Sequence, residues 1–135
     1  EVDAALEREV LCARIPTGIF PWPRKELFPN YKRSHHWAHF HKFEKQARKN
    51  GANLTLEAIP HELRALITGD GFLRLKMAFY PPNRIRRDDD NCIGAIKNFR
   101  DGFADALKID DARFRCNYEF HEPEKRGRVE VTVIG

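Results

Sequence analysis

Five aspartates in the second half of this sequence could bind a cation. Asp88, Asp89 and Asp90 are consecutive, and Asp110 and Asp111 form a second acidic pair further along. Adjacent carboxylates repel one another unless a cation or solvent lies between them. Carboxylate oxygens are the ligands that hard cations such as Mg²⁺ prefer. The two acidic groups therefore indicate a candidate site for a hard divalent cation.

Local geometry favours two of the first three aspartates. If the backbone of the run is extended, successive side chains point to opposite sides. Asp88 and Asp90 would then share one side, and Asp89 would face away. A helix predicted from about Asn91 to Leu107 starts beside them, and its free N–H groups favour negative charge there.

Lys97 and the second acidic pair lie further along this predicted helix. Lys97 is roughly 10 Å beyond Asp90, and a long side chain that leans toward the helix N-terminus could approach the metal site or a phosphate. Asp110 and Asp111 follow the far end of the helix. Only a following strand beside the predicted Phe72–Tyr80 strand could return them to Asp88.

Each acidic group also has a simpler explanation. An Asp run before a helix is most often an N-cap with solvated neighbours, and the segment IDDA is most often a turn. The basic run RIRR before the acids could balance their charge. It could also hold phosphates beside a metal, which is the arrangement that phosphodiester cleavage needs.

The helices and strands that must position these residues can be predicted from the sequence. They indicate a single domain, residues 1–135, of the α/β (α+β) class. Its small, largely antiparallel mixed sheet would pack against two main helices. One helix would begin after Ser34 and end at Gly51, and the other is the Asn91–Leu107 helix. The strands are expected at Leu11–Phe20 and Phe72–Tyr80, and in a hairpin of Phe114–His121 with Arg128–Ile134.

Composition restricts the class of protein. The chain has 135 residues, of which 41% are hydrophobic and 33% charged, as in globular proteins rather than disordered ones. We expect no membrane span and no signal peptide. Three widely spaced cysteines are not a disulfide framework and suit a reducing cytoplasm.

Positive charge is concentrated between Arg24 and Lys49, where there are eight basic residues and only two acidic ones. The net charge is +4, and Lys42, Lys45 and Lys49 would share one face of the first main helix. Such a face suits a polyanionic partner. The neighbouring histidines, with His35 and His39 at a helical spacing, lack the second pair that a zinc site needs. We expect Trp22 and Trp37 to act as packing anchors rather than base-stacking platforms.

Several motifs in a fixed order resemble one known family. PWPRKELFPN followed by SHHWA, then RIRRDDDN, a helix containing K-x-x-x-D-G-F, IDDARF and a final R-V-E-V-T-V strand resemble the RusA family of Holliday-junction resolvases. The resemblance runs from about Ile15 to Ile134. The opening motif is moderately specific, and the ordered combination is highly specific.

The resemblance implies a homodimeric, Mg²⁺-dependent endodeoxyribonuclease, of bacterial or phage origin, that cuts four-way DNA junctions symmetrically. Mn²⁺ is an alternative metal, and no small-molecule cofactor is expected. Family metal ligands map onto Asp88, Asp90 and Asp111, with Asp110 as the rival of Asp111. The family lysine, which would stabilise transition-state charge, maps onto Lys97 in the longer family pattern and onto Gly94 in the shorter one.

Flanking phosphates would be held by two basic groups: Arg84, Arg86 and Arg87 beside the acids, and Lys42, Lys45 and Lys49 on the helix. The sequence departs from the family in having Asp89, where an apolar or small residue is commoner. Two other classes stay open, a branched-DNA-binding protein without catalysis and a Mg²⁺-dependent phosphohydrolase acting on nucleotides. The basic helix disfavours the second, because a small substrate needs no extended positive face.

Overall fold

A computed structural model describes residues 16–66 and 71–134 of this chain. Four strands and five α-helices lie in these ranges, together with 3₁₀ turns at Lys25–Leu27, Trp37–His39 and Asp111–Arg113. In chain order the elements are β1 (Gly18–Pro21), α1 (Pro29–Arg33), α2 (His41–Ala58), α3 (His61–Leu66), β2 (Leu73–Tyr80), α4 (Asp89–Ala95), α5 (Lys97–Leu107), β3 (Phe114–Phe120) and β4 (Arg128–Val133).

The strands form one mixed sheet in the order β1-β4-β2-β3. β4 pairs antiparallel with both β1 and β2, whereas β2 and β3 are parallel. Alternate residues of β2 and β4, such as Leu75, Met77, Val129 and Val131, are buried. Helices cover this apolar face, which confirms the predicted class of a small, mostly antiparallel sheet packed against helices.

The predicted hairpin between the last two strands is wrong. β2 lies between β3 and β4, so the segment after β3 crosses the end of β2 before β4 begins. Backbone bonds from His121 N to Phe79 O and from Glu124 N to Pro81 O hold this crossing. A short connection with turn residues predicts a hairpin only when no third strand takes the central position.

The helix boundaries also differ from the prediction. α2 begins at His41, because Ser34 ends α1 and donates its hydroxyl to backbone carbonyls of that helix. The predicted Asn91–Leu107 helix is divided into α4 and α5 at Ile96. Its predicted apolar stripe is buried as expected, at Cys92, Ile96, Phe99, Phe103 and Leu107. The first five residues of the predicted Leu11–Phe20 strand lie outside the described ranges.

Gly51 does not end α2; it lets α2 cross α5 at short range. A Cβ atom at Gly51 would lie 2.5 Å from the carbonyl oxygen of Phe99. Gly102 of α5 faces the same crossing, where an added Cβ would lie 2.1 Å from the carbonyl oxygen of Arg48. These glycines therefore bring the backbones of the two main helices into contact.

Gly102→Ala should destabilise the fold, because the new methyl group would overlap backbone atoms of α2. We expect a loss of about 1–3 kcal/mol or more in the free energy of unfolding, measured by urea denaturation. Gly18→Ala is the matched control, since its Cβ would lie 3.8 Å from the nearest atom. Equal urea midpoints for Gly102→Ala and the unmodified protein would show that the crossing is not close.

Candidate functional site

The three consecutive aspartates lie at the start of α4, in a wide, open cleft. Asp88 is the N-cap residue and has an extended backbone (φ −79°, ψ 139°), but its side chain makes no capping hydrogen bond. All three aspartates are exposed. We call this space of about 720 Å³ the Asp88 cleft; its lining comprises Pro29, Asn30, Arg33, Arg86, Arg87, Asp88, Asp89, Asp90 and Asn91.

The expectation that Asp89 faces away from Asp88 and Asp90 is wrong. The alternation required an extended backbone through the whole run, but α4 already includes Asp89 and Asp90. Successive residues of a helix are rotated by about 100° rather than 180°. All three carboxylates consequently line the same cleft.

The side chain of Arg87 is hydrogen-bonded in the wall of the cleft and is not free to bind a ligand there. Its guanidinium donates to the backbone oxygens of Asn83 and Ile85 and, at 2.7 Å, to the side-chain oxygen of Asn83. It also lies 5.3 Å from the ring centre of Trp22. The predicted phosphate-binding role of Arg87 is therefore limited by bonds that fix the loop before Asp88.

Arg86 and Arg33 are the cleft cations with the most freedom. Neither side chain makes a hydrogen bond or ion pair with another residue of the described ranges, and both residues are exposed. Arg33 was missed by sequence reasoning because it lies at the end of α1, far from Asp88 along the chain. The eight basic residues between Arg24 and Lys49 were the available signal.

Two contacts bring α1, and hence Arg33, to α4. The backbone N–H of Asn30 donates to the side-chain oxygen of Asn91 at 3.1 Å. A Cβ atom at Gly94 would lie 2.4 Å from Cγ of Pro29, so the proline ring packs directly on the glycine. A lysine at position 94 would displace that ring, which favours the longer family pattern over the shorter one.

Lys97 and Asp111 lie in a second cavity instead of the Asp88 cleft. This space of about 370 Å³, which we call the Asp111 cavity, is lined by Arg48, Lys97, Asp101, Ala104, Asp105, Ile109, Asp110 and Asp111. Lys97 Nζ forms an ion pair with Asp101 at 3.1 Å. Its predicted approach to Asp90 is not observed, because its side chain is directed toward the following turn.

The fold separates the two acidic groups within one chain. Asp88 lies eight residues after Tyr80, the last residue of β2, whereas Asp111 lies three residues before Phe114, the first residue of β3. Since β2 and β3 are parallel, with Leu73 paired to Phe114, these positions lie at opposite ends of the strands. Across residues 16–66 and 71–134, no three His, Cys, Asp or Glu side chains converge to hold one metal ion.

Within one chain, Asp88 and Asp90 line one cavity and Asp111 lines another. An antiparallel neighbour of β2 would have returned Asp111 to Asp88, but β3 runs in the other direction. The ligand roles of the three aspartates stay predictions, and the structure adds Asp89 to the carboxylates of the first cleft.

Asp110 and Asp111 differ in how their carboxylates are used. Asp110 Oδ1 accepts a hydrogen bond from Ala112 N at 2.9 Å and caps the following 3₁₀ turn. Asp111 uses its backbone oxygen, which accepts from Arg100 at 3.3 Å. Its carboxylate makes no hydrogen bond within the described ranges. Asp111 is thus the better placed of the two to bind a cation.

The remaining predicted phosphate contacts lie on the surface. Arg84 forms an exposed ion pair with Glu122 at 3.0 Å. Lys42, Lys45 and Lys49 are exposed on α2, as the helical spacing predicted.

None of the described helices combines the length and the apolar character needed to cross a membrane.

The chain is 41% identical over 117 residues to an uncharacterized protein of Xylella fastidiosa (strain Temecula1 / ATCC 700964), a match that spans 85% of this chain and 73% of that protein. The two proteins belong to one family. No family model matches the chain.

The pair of Asp105 with Arg48 stabilises the crossing of α2 and α5, and this contribution depends on pH. Its carboxylate accepts two hydrogen bonds from Arg48, at 2.6 and 2.9 Å, and these lower the pKa of Asp105 below its ordinary value of 3.8. A lowered pKa stabilises the fold above the ordinary value, and this stabilisation is lost as the pH falls through the folded-state pKa.

Asp105→Asn should therefore lower the free energy of unfolding at pH 7 by no more than about 1 kcal/mol, because both partners are half-exposed and screened by solvent. The difference from the unmodified protein should shrink below pH 3.8. Urea denaturation at pH 7 and at low pH tests both statements. Glu57→Gln, an exposed acid on α2, is the control and should change little at either pH.

Proposed function

We propose that this member of the Xylella protein's family is a Mg²⁺-dependent, homodimeric endodeoxyribonuclease that resolves four-way DNA junctions, as members of the RusA family do. The observation that supports the proposal most directly is the Asp88 cleft. There, three exposed carboxylates stand beside Arg33 and Arg86, with no basic partner of their own among the described residues.

The chemistry of the cleft fits a hard cation. Carboxylate oxygens suit Mg²⁺ and Mn²⁺, and no thiol or imidazole lines the described walls of the cleft. A water molecule occupies about 30 Å³ in the liquid, so the space admits a hydrated ion beside a phosphate group. Exposed side chains change rotamer at small cost, so Asp88 and Asp90 can turn toward one ion.

A bound Mg²⁺ would supply an activated water and charge stabilisation for phosphodiester hydrolysis. The other steps belong to the residues of the chain. Arg33 and Arg86 would hold the scissile or adjacent phosphate, and the bonds of Arg87 would keep the loop before Asp88 fixed while DNA binds. The lysines of α2 would hold flanking phosphates without reading sequence.

Asp111 and Lys97 can serve the Asp88 cleft only from a second copy of the chain. Their cavity lies at the other end of the paired strands, so one chain supplies the cleft with Asp88, Asp89 and Asp90 alone. In the proposed homodimer, two-fold symmetry could bring the Asp111 cavity of one subunit to the Asp88 cleft of the other. The dimer would then have two sites, which matches symmetric cutting of a junction.

Asp88→Asn and Asp90→Asn should each reduce cleavage of a synthetic four-way junction by about 100-fold or more, since each removes one negative ligand. Junction binding should remain, because the phosphate-binding cations are unchanged. Gel assays with and without Mg²⁺ measure both properties. Asp89→Asn, in the same cleft, is the comparison and should lose less activity.

Cleavage by either Asp88→Asn or Asp90→Asn at a near-normal rate would refute the assigned ligands. Binding without any Mg²⁺-dependent cleavage by the unmodified protein would instead favour the second candidate, a branched-DNA-binding protein without catalysis. Comparison of four-way, three-way and linear DNA would define the substrate.

Mixing two inactive variants tests whether Asp111 acts across the dimer. A heterodimer of Asp88→Asn with Asp111→Asn would contain one site with both substitutions and one site with neither. We expect this mixture, after subunit exchange, to regain cleavage of one strand per junction. The matched mixture of Asp88→Asn with Asp90→Asn should stay inactive, because both of its sites carry a substitution. Inactivity of both mixtures would place Asp111 outside the site of the partner subunit.

A further inference from the structure

Of the two tryptophans that were predicted to pack in the protein, Trp37 does not. Trp22 packs as predicted, with ring centres 6.3 Å from both Phe28 and Phe79. Trp37 instead lies in the 3₁₀ turn before α2, and 58% of its surface is exposed. Tryptophan is highly buried on average in folded proteins. With most of its surface exposed, Trp37 does not act as the packing anchor that the sequence predicted.

Trp37 lies among other rings rather than among aliphatic side chains. His41 meets it edge-on, with ring centres 5.0 Å apart and an interplanar angle of 84°, and His36 lies 5.8 Å away. Tyr31 and His35 stack at 3.7 Å beside them. We call this group the aromatic platform; its members are Tyr31, His35, His36, Trp37, His39 and His41.

Local hydrogen bonds fix the platform in place. His36 Nδ1 accepts from the backbone N–H of Ala38 at 3.2 Å and caps the turn that carries Trp37. His35 Nδ1 lies 2.8 Å from the backbone oxygen of Tyr31. The ring of His36 is exposed and holds this turn at the surface. These bonds tie His35 and His36 to the local backbone.

The charge around the platform favours a nucleic acid over a protein. Residues 31–43 contain Lys32, Arg33 and Lys42 but no Asp or Glu. The next acid, Glu44, is already paired with Lys32 at 2.7 Å. Protein interfaces are depleted in lysine, whereas single-stranded nucleic acids bind where aromatic rings are set among cations.

The platform also adjoins the Asp88 cleft. Arg33 lines that cleft, and His35, two residues later, belongs to the platform. A strand whose phosphate is held by Arg33 would have its neighbouring nucleotides close to these rings. A base that has left the stack at a branch point offers a π-face, which any of the four bases can use.

We infer that Trp37 and its neighbouring rings stack on unpaired bases of bound DNA, and so favour branched or opened DNA over continuous duplex. The inference rests on the proposed function in taking DNA as the partner, but it does not depend on cleavage. It assigns Trp37 to substrate selection rather than to catalysis.

Tryptophan fluorescence tests this directly, since Trp22 and Trp37 are the two tryptophans of the chain. The unmodified protein and Trp37→Phe are titrated in EDTA with an oligothymidylate of about 16 nucleotides, a length that covers known single-strand site sizes. The oligonucleotide should quench the emission of the unmodified protein but not that of Trp37→Phe. A blunt duplex of the same length should quench neither.

Binding affinity provides the second measurement. Trp37→Ala should weaken oligothymidylate binding by about 5- to 100-fold, which corresponds to one lost base stack. Its affinity for the duplex should change less than twofold. Phe72→Ala is the matched control, because Phe72 is also 58% exposed but lies away from the platform, before β2. Circular dichroism confirms that each variant is folded.

Three results would overturn the inference. These are quenching that persists in Trp37→Phe, equal loss of affinity in Trp37→Ala and Phe72→Ala, and emission that changes with protein concentration before any DNA is added. The third would indicate that a second copy covers the ring. Loss of quenching with normal Asp88-dependent cleavage rejects the platform alone. Normal quenching without Mg²⁺-dependent cleavage rejects the nuclease alone.

Discussion

The parallel pairing of β2 with β3 determines where the two acidic groups, Asp88–Asp90 and Asp110–Asp111, lie. A parallel pair requires a crossover that returns the chain to the end of the sheet where the first strand began. Here α4 and α5, which are divided at Ile96, form the crossover from Asp89 to Leu107. Asp88 lies just before the crossover and Asp111 lies just after it. The separation of the Asp88 cleft from the Asp111 cavity is therefore a consequence of topology.

The start of α4 concentrates negative charge that the chain itself only partly compensates. Asp88, Asp89 and Asp90 repel one another, while the free N–H groups of the helix and the nearby arginines reduce the cost. Arg87 is already committed to Asn83 and Ile85, so its charge is fixed at the wall of the cleft. A divalent cation would relieve the remaining repulsion more than one basic side chain does, because it brings two positive charges to one point.

In the Asp111 cavity, by contrast, most acids already have partners. Arg48 binds Asp105, Lys97 binds Asp101, and Asp110 caps a turn. The carboxylate of Asp111 is the exception. The two spaces are thus chemically unequal, and the Asp88 cleft is the stronger candidate for the centre of the chemistry.

Periodicity predicted the parts of the fold that depend on one element at a time. The buried stripe from Cys92 to Leu107 and the alternation of β4 are local patterns, and the structure has both. Packing contacts between elements could not be predicted from periodicity. Gly51 has the features of a helix end, and only the approach of Phe99 of α5 shows why a glycine is needed inside α2. Arg33 reaches Asp88 through contacts between Pro29 and Gly94, which no spacing in the sequence reveals.

The same contacts bring together residues that are far apart in the sequence. α1 carries Arg33 to the Asp88 cleft, and the turn that follows carries Trp37 and the rest of the aromatic platform. The proposed phosphate binding, cation binding and base stacking are different interactions that need different side chains, and each would draw on a different part of the sequence. The packing of Pro29 on Gly94 holds α1 against α4. A side chain at position 94 would leave the carboxylates of α4 intact but move the cations and rings away from them.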